Sequence, residues 1–332
     1  MNQVVAAGRE PVTGRPLRVT VLAGGVGAAR FLSGLVAAQP FADLAVVGNT
    51  GDDFLVHGLH VSPDLDSVTY TLCGMGDEAR GWGIRDESWQ ALDQLRRLGE
   101  ESWFQLGDRD LGTHIFRTAR LRDGLPLSSV TEALGARLGL PLRLLPMTDD
   151  EVVTRIHTCD GRDLHIQEYL VRDACEPRIS AVEYRGVGRA RPAPGVLEAI
   201  EGAEVVILAP SNPVISIGPI LAVPGVREAV AKAPLALAVS PIVGGRAIKG
   251  PAVEMMQAVG LAASPVGIAD YYHGLLDILV VDTVDSGLAD DLRARGVAPQ
   301  ICDTMMVSEA ARRRLANFVL AAARSQLTSA TG

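Results

Sequence analysis

The stretch Val19-Thr-Val-Leu-Ala-Gly-Gly-Val-Gly-Ala-Ala-Arg30 constrains the fold more than any other. An apolar run stops at Gly24-Gly25, turns through Gly27 and continues into a run, Ala28 to Leu35, compatible with a helix. A strand, a glycine turn and a helix in that order open an α/β unit. The exposed N–H groups of such a turn, together with the positive helix end, suit a phosphate. The spelling G-G-x-G-x-x-R puts Arg30 where a dinucleotide fingerprint has its third glycine. No G-K-[ST] follows, so this is not a P-loop.

About twenty residues on, a second apolar run ends in Gly48-Asn49-Thr50-Gly51-Asp52-Asp53. Further strands are expected at 204–210, 235–240 and 278–283. Helices are expected at 28–38, 195–201, 225–232, 251–259, 287–295 and 308–324. Alternation of this kind predicts an α/β fold: a Rossmann-like, mostly parallel sheet with helices on both faces. Residues 64–140 break the alternation and read as a helical insertion, with helices at 64–73, 86–98, 110–121 and 129–138. The last opens on a capping box, Ser129-x-x-Glu132. Residues 151–171 alternate around Asp160-Gly161 and read as a β-hairpin. The reading is one domain over 17–325, preceded by a flexible tail at 1–16.

Composition narrows the function. A net charge of −8 argues against nucleic acid as a partner. The only lysines are Lys232 and Lys249, which leaves arginine to meet phosphates. Four scattered cysteines with no C-x-x-C suit reduced thiols in the cytoplasm. No apolar run reaches the roughly eighteen residues that a membrane span needs.

Ligands of open α/β sheets sit beyond the carboxyl ends of the strands. The segments to inspect are therefore Gly24–Arg30, Asn49–Asp53, Ser211–Gly218, Pro241–Lys249 and Asp282–Asp285. Asn49-Thr50-Gly51-Asp52-Asp53 belongs with Ser62-Pro63-Asp64, because one acid from each would suit Mg²⁺ completed by substrate phosphates. Asp52 and Asp53 point opposite ways if extended, so one of the two faces the site. The plain alternatives are a helix cap for Asp64 and a solvated turn for the pair. Ser211, Asn212, Pro213 and Ser216 offer hydroxyls, an amide and free N–H groups to a nucleotide, or else form an Asn-Pro turn. Gly81-Trp82-Gly83-Ile84-Arg85 could close over a flat ring, or pack as a surface turn. Asp110, His114 and Arg117 share one helical face and read as a salt-bridged surface. The remaining histidines show no metal spacing.

Taken in order, Leu22–Arg30, Val47–Asp53, Ser62–Leu72, Gly81–Arg85, Leu106–His114, Pro210–Pro213 and Gly267–Tyr272 resemble the 2-phospho-L-lactate transferase family of coenzyme F-420 biosynthesis, including its actinobacterial phosphoenolpyruvate-handling type. The resemblance covers residues 17–325. It implies transfer of a phosphoenolpyruvate or 2-phospho-L-lactate moiety from a guanosine diphosphate adduct to the hydroxyl of the deazaflavin Fo. It also implies release of GMP, dependence on Mg²⁺ and a homodimer. By motif, it puts Gly24, Gly25 and Gly27 on phosphate and Ser211, Asn212, Pro213 and Ser216 on the guanosine side. It assigns Asp52 or Asp53, with Asp64, to metal and hydroxyl, and Arg85 to the deazaflavin side. Arg30, Asn49 and Thr50 complete the expected binding set. The competing readings are a non-catalytic nucleotide- or sugar-nucleotide-binding regulator and a nicotinamide oxidoreductase. The Arg-rich composition leans toward the enolpyruvyl donor.

Overall fold

A computed structural model describes residues 16–38, 41, 43–248 and 250–330; the tail at 1–15 and Lys249 lie outside the described residues. Seven strands form one parallel sheet: β1 (Arg18–Ala23), β2 (Asp43–Gly48), β3 (Arg143–Pro146), β4 (Val205–Leu208), β5 (Ala236–Val239), β6 (Ile278–Asp282) and β7 (Ala298–Cys302). Their order across the sheet is β7-β6-β5-β4-β1-β2-β3. The chain starts in the middle, runs outward through β2 to β3, and returns beside β1 to run outward the other way. The reversal falls between β1 and β4, where doubly wound sheets open their ligand crevice.

Alternate residues of each strand face opposite layers. Val19 and Val21 join Phe31 and Leu35 of α1 (Gly25–Ala38) and Leu315 and Val319 of the C-terminal helix Glu309–Ala330. Leu22, Val206 and Leu208 join Ile217 and Ile220 on the other face. Both faces are closed, which explains why the inner strands read as unbroken apolar runs. Each such side chain contributes about 1.5–3 kcal/mol on burial.

The expected helices and five central strands are present, within a few residues. Two edge strands, β3 and β7, were not anticipated. The stretch after β2 holds a small hairpin (Phe54–Val56 with Leu59–Val61), then α2 (Pro63–Leu72), α3 (Gln90–Leu98), α4 (Asp108–Arg122) and α5 (Leu127–Leu138). It is the enlarged crossover from β2 to β3. The capping box at Ser129 and Glu132 does not form: α5 starts at Leu127 after Pro126, without a side-chain cap. Instead Asp149, just past β3, accepts the backbone N–H and the hydroxyl of Ser128. The hairpin expected at 151–171 turns at Gly161 but is part of a three-stranded antiparallel sheet, Val153–Thr158 flanked by Asp163–His165 and Ile179–Arg185. That sheet sits on the loop after β2, where Thr154 N–H donates to the Gly51 carbonyl at 2.7 Å.

Candidate active site

Three of the five strand ends singled out above meet at the reversal of the sheet. After β1 the chain turns at Gly24, whose backbone N–H donates to Ser211 Oγ at 3.3 Å; that hydroxyl donates back to the Gly24 carbonyl at 2.8 Å. A Cβ on Gly24 would lie 2.5 Å from Asp64 Oδ2 and 2.7 Å from the Ser216 Cβ. Gly25 takes a φ of +73°, the left-handed region that favours glycine. Gly27 lies inside α1, and a Cβ there would meet the Pro210 carbonyl oxygen at 2.7 Å.

Asn49 is the hinge of the acidic side. Its Nδ2 faces Asp52 Oδ1 at 3.0 Å, Asp64 Oδ2 at 2.9 Å and the Ile215 carbonyl at 3.2 Å, while its Oδ1 accepts from Gly51 N–H. One side-chain amide thus joins the ends of β2 and β4 to the start of α2, and the Asn49 backbone N–H donates to the Ala23 carbonyl at the end of β1 at 3.1 Å. Asp52 Oδ2 also accepts from Gln167 Nε2 at 3.1 Å. Asp64 lies in the first turn of α2, but Ser62 occupies the cap position and Pro63 opens the helix. The cap position is therefore that of Ser62 and not of Asp64.

Asp53 faces elsewhere, as the alternation of side chains predicts. Its Oδ2 contacts His60 Nε2 at 3.0 Å and accepts from Ser62 Oγ at 2.7 Å. Burial raises the carboxyl of Asp64 to about 7 against the hydrogen bond from Asn49. Burial, then the Asp64 charge, raises Asp52 well above the ordinary range. Burial also raises Asp53, and the His60 contact opposes it. Among the described residues no cationic side chain pairs with Asp52 or Asp64, and two carboxylates this close repel when both are ionised.

The loop after β4 carries Asn212, whose Oδ1 accepts from Val214 N–H at 3.0 Å and Ile215 N–H at 3.3 Å. That is the Asn-Pro turn weighed above. Its Nδ2 is buried with no hydrogen-bond partner among the described residues, as is the hydroxyl of Thr50. Ser211, Pro213 and Ser216 are buried in the same segment. Tyr184 donates to the Val214 carbonyl and its hydroxyl lies 3.3 Å from that of Tyr271, which fixes the segment from behind. Residues 241–248 and Asp282–Asp285 lie at the ends of β5 and β6, and within them Ile242–Val243 pairs with Arg246–Ala247 while Asp282 caps its own turn and holds Thr304.

Arg30 lies one turn into α1, beside Glu78, Arg85 and Arg312 around a cavity of about 120 Å³. Arg85 is largely exposed and donates to the Gly74 carbonyl. Arg80 sits between two indoles: its guanidinium stands 5.0 Å from the centre of the Trp82 ring and 4.9 Å from that of Trp89, and Trp82 stays 40% exposed.

Asp110, His114 and Arg117 do not form a salt-bridged surface. They are buried against α2, where Arg117 pairs through both terminal nitrogens with Asp66, and Asp110 accepts from Tyr70 at 2.6 Å. The helical spacing was right and the exposure wrong, because α2 supplies partners that a single helix cannot reveal. Gln167 and Thr154, from the three-stranded sheet, were also missed; nothing near them in sequence marks a partner more than a hundred residues away.

The family described as 2-phospho-L-lactate transferase CofD matches residues 19–320. A phosphoenolpyruvate transferase of Streptomyces griseus is 47% identical over 310 residues, spanning 92% of this chain and 98% of that protein. A 2-phospho-L-lactate transferase of Methanosarcina mazei is 39% identical, spanning 91% and 99%. Among solved structures, a UPF0052 family protein of Bacillus halodurans superposes with a TM-score of 0.62 at 18% identity, over 92% of this chain and 99% of that one, which bears on the fold alone. With its motifs assembled at one strand-order reversal and matched over most of its length, the chain belongs to the 2-phospho-L-lactate transferase family of coenzyme F-420 biosynthesis.

Proposed function

We propose that the protein transfers an enolpyruvyl-phosphoryl group from a guanosine diphosphate adduct to the terminal hydroxyl of Fo, releasing GMP. The observation that carries this reading is the buried Asp52–Asn49–Asp64 constellation beside Gly24 and Gly25. Group transfer at phosphorus needs positioning and charge neutralisation more than covalent help. Gly25, with space beside it, would let the diphosphate approach the start of α1, whose free N–H groups suit it. The Ser211–Ser216 segment takes the guanosine side, where the unpartnered Nδ2 of Asn212 is a free donor. Asp64, or the neighbouring Asp52, orients the attacking hydroxyl and accepts its proton.

The pair fits Mg²⁺. Among the described residues no group of three or more His, Cys, Asp or Glu is gathered to hold a metal. Two carboxylates therefore need phosphate oxygens and water to complete a hard-ion shell, as Mg²⁺ sites commonly have. Asp52 and Asp64 would hold the ion, which would neutralise charge on the transferred group. For Fo we propose the groove of about 600 Å³ beside Arg85, walled by Ile84, Phe116, Leu134 and Leu138. It has the size of a drug-sized ligand site. Arg85 lines this groove and Trp82 does not, so Arg85 is the residue offered to the ring.

The curated relatives carry transferase names, so the non-catalytic regulator finds no support. We also read the protein as a cytoplasmic homodimer; its cysteines are free, and no described helix is long and apolar enough to cross a membrane. The test mixes protein, Mg²⁺, Fo and each adduct. GMP release with the enolpyruvyl adduct is expected, and mass spectrometry separates the two products by two hydrogens. Nucleotide binding without GMP release from either adduct would refute the reading.

A further inference from the structure

We infer that the cavity between α1, α2 and the loop 74–85 is the subsite for the carboxylate of the three-carbon acid carried on the donor's outer phosphate. The inference rests on the proposed function. The cavity adjoins the phosphate turn directly: Val26, the residue after Gly25, lines it, and so does Ser67, one helical turn beyond Asp64. Its volume is about 120 Å³, a size that suits a three-carbon acid, against about 600 Å³ for the groove proposed for Fo.

Its charge is unbalanced. Arg30, Arg85 and Arg312 line it against Glu78 and Asp77. Asp77 is engaged by Arg80 at 3.4 Å and by the N–H groups of Ala79 and Arg80. No carboxylate among the described residues lies within ion-pair distance of Arg30. Arg312 has a side chain only 8% exposed, and its Nε is buried with no partner. Its one carboxylate contact is Glu78 at 2.8 Å, whose own side chain is 71% exposed. An orphaned buried guanidinium N–H is costly. An incoming carboxylate would satisfy it with the two-pronged geometry that arginine favours. Glu78 is free to yield its place to such a group, being tethered by that contact alone. Enolpyruvyl and lactyl acids both carry the carboxylate, so this subsite holds either donor and does not choose between them.

The experiment uses Arg30→Met and Arg312→Lys in the full chain, with three probes: the enolpyruvyl adduct, GDP, and the β-methyl ester of GDP, which has the diester phosphate and no carboxylate. The expected result is a KM for the adduct raised about ten- to hundredfold, as loss of one charge-assisted hydrogen bond implies. Affinities for GDP and its methyl ester and the KM for Fo should stay within about twofold of wild type. Equal weakening of GDP or its ester would make the cavity a phosphate site and overturn the assignment. A raised KM for Fo alone, or no change in either variant, would overturn it as well. Arg30 lies on a partly exposed face of α1, so its variant keeps the test open if Arg312→Lys fails to fold. A wild-type protein that binds the adduct yet releases no GMP would refute the transferase reading and leave the binding comparison intact.

Discussion

Asp52 and Asp64, twelve residues apart in sequence, accept from the same amide nitrogen of Asn49, at 3.0 and 2.9 Å. A turn, a hairpin and a helix start lie between them, so the pairing is a product of the fold. Asp53, the nearer of the adjacent acids to Asp64, is turned onto His60 and Ser62. Asp64→Asn and Asp52→Asn are therefore expected to lower turnover by about two to three orders of magnitude, the size of losing one group that stabilises developing charge. Asp53→Asn should cost much less. GMP release measured against Mg²⁺ concentration checks this. Equal losses at Asp52 and Asp53, or near-normal turnover of Asp64→Asn, would contradict the pairing.

The same pair sets a pH dependence. In protein kept free of divalent ions, burial holds Asp64 up at about 7, above its ordinary 3.8, and raises Asp52 too. The folded state then binds these protons more tightly than the unfolded chain. Their contribution to stability is fully present below the ordinary value and is lost as pH rises through about 7. Thermal melts in chelator should show Tm falling by several degrees between about pH 5 and 8, and Asp64→Asn should flatten the fall. Saturating Mg²⁺ should flatten it as well, since a cation stabilises the ionised pair. A wild-type slope indifferent to both Mg²⁺ and Asp64→Asn would dismiss the pair as its source.

The three glycines of the turn should fail in different ways. Gly24→Ala drives a Cβ to 2.5 Å from Asp64 Oδ2 and 2.7 Å from the Ser216 Cβ, so it displaces an acid and should abolish turnover. Gly25→Ala has space, its nearest neighbour being Asp64 Oδ1 at 3.8 Å, but must hold a φ of +73°. That backbone cost is about 1–2 kcal/mol. Gly27→Ala meets the Pro210 carbonyl oxygen and should lower Tm by pushing α1 off the loop after β4. Melting curves with GDP titration calorimetry separate these. Unchanged Tm in Gly27→Ala would show that α1 can shift without penalty.

What the sequence made legible follows from local rules. A strand, a glycine turn and a helix are specified by neighbours, and Asp52 and Asp64 stood out because one acid at a strand end and one at a nearby helix start together suit a hard cation. The edge strands were hidden for physical reasons. β3 spans only Arg143–Pro146, and β7 carries Pro299 and is half exposed, so neither forms an apolar run. Ser129 and Glu132 matched a capping pattern, yet the chain entered α5 two residues earlier because Asp149 reaches Ser128 from beyond β3. Gln167 at Asp52 and Arg80 over Trp82 are tertiary contacts that no spacing encodes.

Arg117 shows how much rests on such contacts. It is 2% exposed and paired with Asp66, two residues beyond Asp64 on α2, while its Nη1 also reaches toward the His60 carbonyl. Neighbouring Thr118 accepts the His60 N–H at 2.7 Å through its hydroxyl. The helix α4 therefore holds both α2 and the hairpin strand that carries the partner of Asp53. Removing one member of a buried ion pair costs about 3–5 kcal/mol, because the other charge is left unpaired in a dry interior. Arg117→Met should destabilise the protein by about that amount. Arg117→Met combined with Asp66→Asn should recover a large part of it, since no orphaned charge then remains. Urea unfolding of the three variants and the wild type closes the cycle. If the double variant were no more stable than Arg117→Met, the packing of the guanidinium, and not its charge, would be what joins α4 to the acidic helix.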